Sequence, residues 1–370
     1  MLRVAIIGCG KIADQHIQAL QRIPDCGVVA VCDREQLMAG QLAERFRIPG
    51  SFSDAAEMLR MVKPQVVHVT TPPQSHFALA MQCLEAGSHV YLEKPFTVTA
   101  DEAKQLLGFA ASRGLLVAAG HNYQFTPEMR RMRKLVAEGF LGGAPVHLES
   151  HWAYDLGDTS FVGAFLGSRN HWVRQLPGQL LHNILSHGIA RLAEFLDDEV
   201  EVVARAHQSE QLRKLGGAEV VDELRVMIRD GRGTTAFFCF STQLKPGLSQ
   251  FRICGPRNSL VVDQNSGSLI RHANGSYKSY LTYFLPPLKQ AREHLASSLG
   301  NIVAFLRGRL YQDFGMKDLI ELFYQGVRTA GSPPVPYREI ILTARLMDEI
   351  FRQISAARDA KAATLPPAVS

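Results

Sequence analysis

Six residues near the start of the chain, Gly8-Cys9-Gly10-Lys11-Ile12-Ala13, constrain the fold more than any other stretch. They follow the apolar run Val4–Ile7 and open a segment of helical period, the context in which G-x-G-x-x-A becomes a phosphate-binding turn. The first glycine permits a tight turn, the second leaves room for a pyrophosphate, and the helix N-terminus behind them offers unpaired amides to it. A second apolar run, Val28 to Cys32, ends at Asp33, 25 residues beyond Gly8. A carboxylate there can accept from the adenosine ribose hydroxyls and would repel a 2′-phosphate. The combination implies a dinucleotide-binding domain of Rossmann type and favours NAD over NADP. Arg34, next in the chain, can offset part of that repulsion, so NADP stays open.

Further short apolar runs, Val66–Val69, His89–Leu92 and Leu115–Ala118, alternate with helix-period segments, which predicts a parallel sheet covered on both faces. Ser75 and Gly87 bracket one helix, and Thr99 with Glu102 is spaced as a capping box before a helix ended by Gly114. After Thr126-Pro127 the pattern changes to a helix, a mixed stretch, and consecutive strands over residues 200–206, 219–228, 234–240, 248–254 and 259–263. Turn residues such as Asp230-Gly231 and Pro256-Arg257-Asn258 separate them. This predicts a meandering antiparallel sheet. The expected fold class is α/β: an N-terminal doubly wound Rossmann domain over 1–121, then an α+β domain over 122–356 with a large, mainly antiparallel sheet. The latter would bind substrate and build a homodimer or homotetramer, and the Ala-, Pro- and Ser-containing tail over 357–370 is expected to be disordered.

A chain of 370 residues with 46% hydrophobic content can bury two cores. Its net charge of +5, from 40 basic and 35 acidic residues, forms no block of like charges. That balance suits anionic small molecules and gives no reason to expect nucleic acid. The six cysteines lack any C-x-x-C pair and read as reduced residues of a cytoplasmic protein. The N-terminus reads as a strand interrupted by Gly8 and Gly10, not as a signal peptide, and no run of apolar residues is long enough to span a bilayer.

Three more stretches stand behind GCGKIADQH at 8–16: TPPQSHFALAMQCLEAGSHVYLEKP at 71–95, GHNYQFTP at 120–127 and PGQLLHNILSH at 177–187. In these segments and their order the chain resembles, over nearly its whole length, the Gfo/Idh/MocA (glucose-fructose oxidoreductase/inositol dehydrogenase) family. The resemblance implies an NAD(P)-dependent oxidoreductase acting on a CH–OH group of a sugar, sugar derivative or cyclitol. By position it implies that Thr71, Pro72, His76, Glu93, Lys94 and Asn122 join Gly8, Cys9, Gly10, Lys11, Ile12, Asp33 and Arg34 around the cofactor. It also places Lys94, Asn183 and His187 at the reacting alcohol, with Tyr123 beside the substrate. The family has an acid where Asn183 stands, an arginine at Gln124 and commonly an acid at Ala190.

The residue types fit those places. Removing a hydroxyl proton during hydride transfer suits a side chain titrating near neutrality, and His187 is one without tuning. Lys94 can polarise a carbonyl or, with its pKa lowered, shuttle a proton. Asn183 lies one helical turn before His187 and can orient a hydroxyl or the imidazole, but cannot take a proton as an aspartate would. His182 points about 100° round the helix from Asn183, which disfavours a metal site with His187, and no metal is expected. His16 and His76 fit helix starts near the cofactor turns and can equally be structural.

His151, Trp152, Tyr154, His171, Trp172 and Arg174 gather aromatic and cationic groups before the catalytic helix. Sugar rings stack on aromatic faces, and Arg174 can hold an anionic group, although each residue singly could be a packing residue. Leu288, Ala291, Leu295, Leu299, Ile302 and Leu306 form a helical stripe with a basic flank of Lys289, Arg292, Arg307 and Arg309. The stripe is expected to pack on its own sheet or on a second subunit; reversible attachment to an anionic membrane surface is the less expected alternative. Two other readings of function stand beside the dehydrogenase. One is an NAD-retaining redox-neutral enzyme (epimerase, lyase or glycosidase-like), and the other is an NAD-binding regulator with impaired catalysis.

Overall fold

The computed structural model describes residues 1–155, 168, 171–215, 220–275, 277–278, 280–310 and 313–363. The chain forms two compact units, Met1–Phe125 with Gln312–Ala344, and Thr126–Tyr311 with Arg345–Ser370. The sequence-based boundary at 121 did not anticipate the return of a late segment to the first unit.

The first unit is a six-stranded parallel sheet of order β3-β2-β1-β4-β5-β6. Its strands are β1 Leu2–Ile7, β2 Cys26–Cys32, β3 Gly50–Phe52, β4 Val66–Val69, β5 His89–Leu92 and β6 Val117–Ala119. Helices α1 Lys11–Leu20, α2 Gln36–Phe46, α3 Ala55–Val62, α4 His76–Glu85 and α5 Ala100–Ser112 alternate with them. The order reverses beside β1, the switch point at which doubly wound sheets bind nucleotides. Val4, Ala5, Ile6, Val66, Val67 and Val90 are fully buried, as strands covered on both faces require. The short β3 has no apolar run to announce it.

Thr99 caps α5 by accepting from the Glu102 amide at 3.2 Å, and the Glu102 carboxylate accepts from the Val98 amide at 3.0 Å. Ser75 does not cap α4; its hydroxyl donates to the Pro72 carbonyl at 2.9 Å and lies 2.7 Å from the Thr71 hydroxyl, from which it can accept, tying down the loop after β4. Two later helices are α10 Met316–Thr329 and α11 Tyr337–Ala363. α10 sends Leu319, Ile320, Phe323 and Tyr324 into the core of the first unit.

The second unit is built on a seven-stranded sheet of order β13-β12-β11-β7-β10-β9-β8. The strands are β7 His147–Ala153, β8 Val200–His207, β9 Glu223–Asp230, β10 Thr235–Ser241, β11 Ser249–Cys254, β12 Ser259–Asp263 and β13 Ser268–His272. The sheet is mainly antiparallel as expected, but it is not one meander. β7 lies between β10 and β11, parallel to the former and antiparallel to the latter, so two three-stranded meanders join across it. Local patterning cannot reveal such an insertion, because the pairing is long-range.

Helices α6 Pro127–Ala137, α7 Gln179–Ala193, α8 Glu210–Lys214 and α9 Leu281–Leu306 belong to this unit. α11 ends in it, continuing to Ala363. The tail expected to be disordered from 357 is therefore helical at its start, and residues 364–370 lie outside the described ones. Gln353 on α11 accepts from the Ala204 amide at 2.8 Å and donates to the Val202 carbonyl at 2.7 Å, satisfying the free edge of β8.

Candidate active site

In the first unit, Gly8 has φ +101°, and a Cβ there would come within 2.8 Å of the Thr71 amide, so no other residue fits. Gly10 is different. It caps α1 with φ −76°, and a Cβ on it would meet nothing within 4 Å. That open space at a helix N-terminus is what a pyrophosphate needs. Asp33 is half-buried at the end of β2, where Oδ2 accepts from the Cys9 amide at 2.7 Å and Oδ1 from the Glu35 amide at 3.0 Å. One amide on each oxygen leaves further lone pairs for the two ribose hydroxyls. Lys11, Arg34 and Pro72 are exposed, and Ile12 and Thr71 half-buried, around this turn. Cys9 is buried, its thiol pushed up to about 12 by burial and by the Asp33 charge, so it offers main chain only. The residues present fit a dinucleotide.

His76 is fully buried, with Nε2 2.8 Å from the Thr71 carbonyl and Nδ1 2.9 Å from that of Pro95. It braces the loop after β4 against the loop after β5. In the latter, Glu93 is buried: Oε1 meets His16 Nε2 at 3.0 Å and Oε2 accepts from the Lys94 amide at 3.1 Å. Burial alone would push the Glu93 carboxyl up, but the His16 hydrogen bond and charge, with Lys94, hold it below the usual range. Burial pushes the Lys94 ammonium down, and Glu93 offsets part of that. Lys94 thus moves toward proton exchange at moderate pH. Gly120 makes the packing possible, since a Cβ on it would lie 3.0 Å from Glu93 Oε1.

Asn122 Nδ2 donates to the Asp313 carbonyl at 3.3 Å, and the Tyr123 ring stacks on Phe314 at 4.9 Å. Between Gly120 and Asn122 lies a residue the sequence reading missed. His121 is buried, neither ring nitrogen has a hydrogen-bond partner, and burial lowers it to about 4. A neutral, unsatisfied imidazole influenced by the charges of Glu93 and Lys94 is a candidate for orienting a ligand. Its signal in the sequence was only its place next to Asn122 in the segment GHNYQFTP.

In the second unit, α7 packs on β7 and β10. A Cβ on Gly188 would sit 2.4 Å from the Phe238 ring, and Ser150 Oγ donates to the Gly188 carbonyl at 2.9 Å. Along residues 180–193 every side chain is buried except Asn183, which is half-exposed, and His187 retains 8% exposure one turn later. The two residues therefore share the accessible side of an otherwise enclosed helix. The Trp152 ring lies 5.7 Å from the His187 ring and 5.0 Å from the Arg191 guanidinium. Arg191 is fully buried, donating to Gln264 Oε1 at 2.7 Å and Ser150 Oγ at 3.0 Å. It too was missed, hidden as one arginine in an apolar helix.

The expected aromatic cluster divides. β7 sends Trp152 toward α7 but His151 to the opposite face, beside Glu149 and 6.2 Å from the Phe237 ring, because successive strand residues alternate. Trp172 and Arg174 are half-buried on a single turn, Trp172–Gln175, that packs against α7, with His171 stacked on Trp172 at 5.7 Å. His182 stacks on Phe351 at 4.8 Å.

Residues 2–121 match the oxidoreductase family with NAD-binding Rossmann fold, and residues 129–261 match the GFO/IDH/MocA C-terminal domain. The D-glucoside 3-dehydrogenase of Escherichia coli K12 is 37% identical over 142 residues, 38% of this chain and 40% of that protein. The trans-1,2-dihydrobenzene-1,2-diol dehydrogenase of Macaca fascicularis is 33% identical over 143 residues, 38% of this chain and 43% of that protein. The chain thus spans about two fifths of the length of these curated relatives. Among solved structures, the UDP-N-acetylglucosamine 3-dehydrogenase of Acidithiobacillus ferrooxidans superposes with a TM-score of 0.71 at 19% identity, covering 96% of this chain and 98% of that one. The WlbA dehydrogenase of Bordetella pertussis, in complex with NADH and UDP-GlcNAcA, gives a TM-score of 0.75 at 17% identity, covering 96% of each chain. At such identities the likeness is one of fold. The two domain matches run in the family's order and together take in well over half of the chain, which belongs to the GFO/IDH/MocA oxidoreductase family.

Proposed function

We propose that this protein is an NAD-dependent oxidoreductase that interconverts a secondary alcohol and a ketone on a sugar, sugar derivative or cyclitol. The observation that carries the reading is the open Gly10 turn with the Asp33 carboxylate pinned beside it. Bound NAD would take the hydride from the carbinol carbon. Gly8, Gly10 and the amides at the start of α1 hold the phosphates, and Asp33 holds the ribose. His187 removes the hydroxyl proton, Asn183 orients the hydroxyl, and Lys94 stabilises the oxygen as it gains carbonyl character. Tyr123 and Trp172 supply aromatic faces for a ring, and Arg174 a cation for an anionic substituent. The similar proteins, a D-glucoside 3-dehydrogenase and a UDP-N-acetylglucosamine 3-dehydrogenase, support a pyranoside substrate. The open sheet face, where Val203 and Met227 are exposed beside Phe237, supports a homodimer or homotetramer, and six unpaired cysteines support a cytoplasmic setting.

Formation of reduced nicotinamide, followed by absorbance with glucosides, UDP-sugars and inositols, tests the reading. One class should give NAD-dependent turnover. Isotope exchange at a substrate carbon without net reduction would replace it by the redox-neutral reading, and NAD binding with neither would leave a cofactor-binding regulator.

A further inference from the structure

Helix α9 is turned inside out. It meets its own unit along a polar stripe: Ser297 is its buried residue, Glu293 accepts from Arg271 at 2.9 and 2.6 Å, and Asn301 Nδ2 donates to the Ser266 carbonyl at 3.0 Å. The opposite face carries Leu288, Leu295, Leu299, Ile302, Phe305 and Leu306, which are 53 to 76% exposed. At 3.6 residues per turn these six fall within an arc of about 120°. Of the two packings expected of this stripe, on its own sheet or on a second subunit, the first does not form. Periodicity shows that a helix has an apolar face, not which way that face turns.

Charge decides what can cover it. From Lys278 to Leu310 the chain carries Lys278, Lys289, Arg292, Arg307 and Arg309 against one acid, Glu293, which Arg271 already engages. A second copy of this helix would set cations against cations with no free carboxylate to answer them, and the arc is broader than the narrow seam one partner helix fills. Acyl chains would cover the whole arc, anionic headgroups would neutralise the flank, and the lysine and arginine stems can reach those headgroups from within the apolar layer. No helix among the described residues is long and apolar enough to cross a membrane, so the contact would lie in the plane of the surface.

We propose that α9 is an in-plane anchor that seats this protein on an anionic lipid surface, apolar face down. The full chain should co-sediment with vesicles of phosphatidylcholine mixed with phosphatidylglycerol, less so as salt rises, and should stay in solution with phosphatidylcholine alone. Lys289→Gln and Arg292→Gln should each weaken binding by about fivefold. Leu295→Glu with Ile302→Glu should abolish it while leaving the melting temperature unchanged, because both side chains face solvent. Equal binding to neutral vesicles, or no pelleting at all, would overturn the proposal. So would a sedimentation-velocity result in which Leu295→Glu lowers the oligomer mass of a chain that ignores vesicles, since α9 would then be a contact between copies.

Discussion

His68 Nε2 lies 2.7 Å from the hydroxyl of Tyr324, a residue 256 positions later in the chain. His68 Nδ1 meets His16 Nδ1 at 2.8 Å, and His16 Nε2 meets Glu93 at 3.0 Å, so a buried chain of hydrogen bonds runs from α10 to the carboxylate that fixes the Lys94 amide. Burial and the His16 charge hold the His68 pKa well below the usual histidine range, so one of its nitrogens donates and the other accepts. The tautomer of His68 therefore decides which of the two Nδ1 atoms donates in the bond to His16.

Tyr324→Phe removes one end of that chain and leaves His68 Nε2 buried without its partner, which should cost about 1–3 kcal/mol of stability in denaturant titration. It should also shift the pH profile of kcat, because the hydrogen-bond chain that ends on Glu93, beside Lys94, is rearranged. A purely structural hydroxyl would lower stability and leave the profile in place.

The two turn glycines separate folding from binding. Gly8→Ala meets both a left-handed backbone and the Thr71 main chain, and should lose about 1–3 kcal/mol from strain before the clash is counted. Gly10→Ala has a permitted φ and open space, so it should cost less than about 1 kcal/mol in a melt yet weaken NAD binding by roughly tenfold or more, about 1.4 kcal/mol per decade. Fluorescence titration of NAD and NADP against the wild type completes the test. Equal affinity for NADP would remove the assigned role of Asp33 and transfer attention to Arg34.

How much of this was legible beforehand depended on how local each signal was. Gly8, Gly10 and Asp33 could be read because a turn, a helix start and a strand end lie within one βαβ unit. Lys94, Asn183 and His187 could be named from a motif, but the burial that lowers Lys94 comes from tertiary packing. His121 and Arg191 escaped notice because an unsatisfied imidazole and a buried guanidinium are defined by what surrounds them. The same holds for β7, whose partners lie some 90 residues away in the chain, and for α10, which completes a core begun 300 residues earlier.

His121 makes an acid prediction with a definite sign. Its folded pKa of about 4 lies below the unfolded value of 6.5, so the unfolded chain binds more protons between those limits. The stability is fully present above pH 6.5 and is lost as pH falls toward 4, by about 3 kcal/mol for this group. His121→Asn should flatten that part of the stability curve in melts taken across the window. An unchanged slope would show that His68 and His76, lowered by burial in the same direction, carry the acid sensitivity.

The chemistry divides among three side chains by what each can do with a proton. His187→Ala should lower turnover about 10²–10⁴-fold if His187 is the general base, with NAD affinity nearly unchanged because the phosphate turn and Asp33 are untouched. Lys94→Ala should lower turnover and also relax the loop in which its amide bonds Glu93, so a modest loss of NAD affinity should accompany it. Asn183, the half-exposed residue on an otherwise enclosed helix, can position a hydroxyl but cannot take its proton. Asn183→Asp should raise activity on neutral polyols, or damage binding by repulsion if the substrate is anionic there, and steady-state kinetics on both substrate types separates the two outcomes. Full turnover by His187→Ala on the true substrate would refute the assignment and leave Lys94 as the proton carrier.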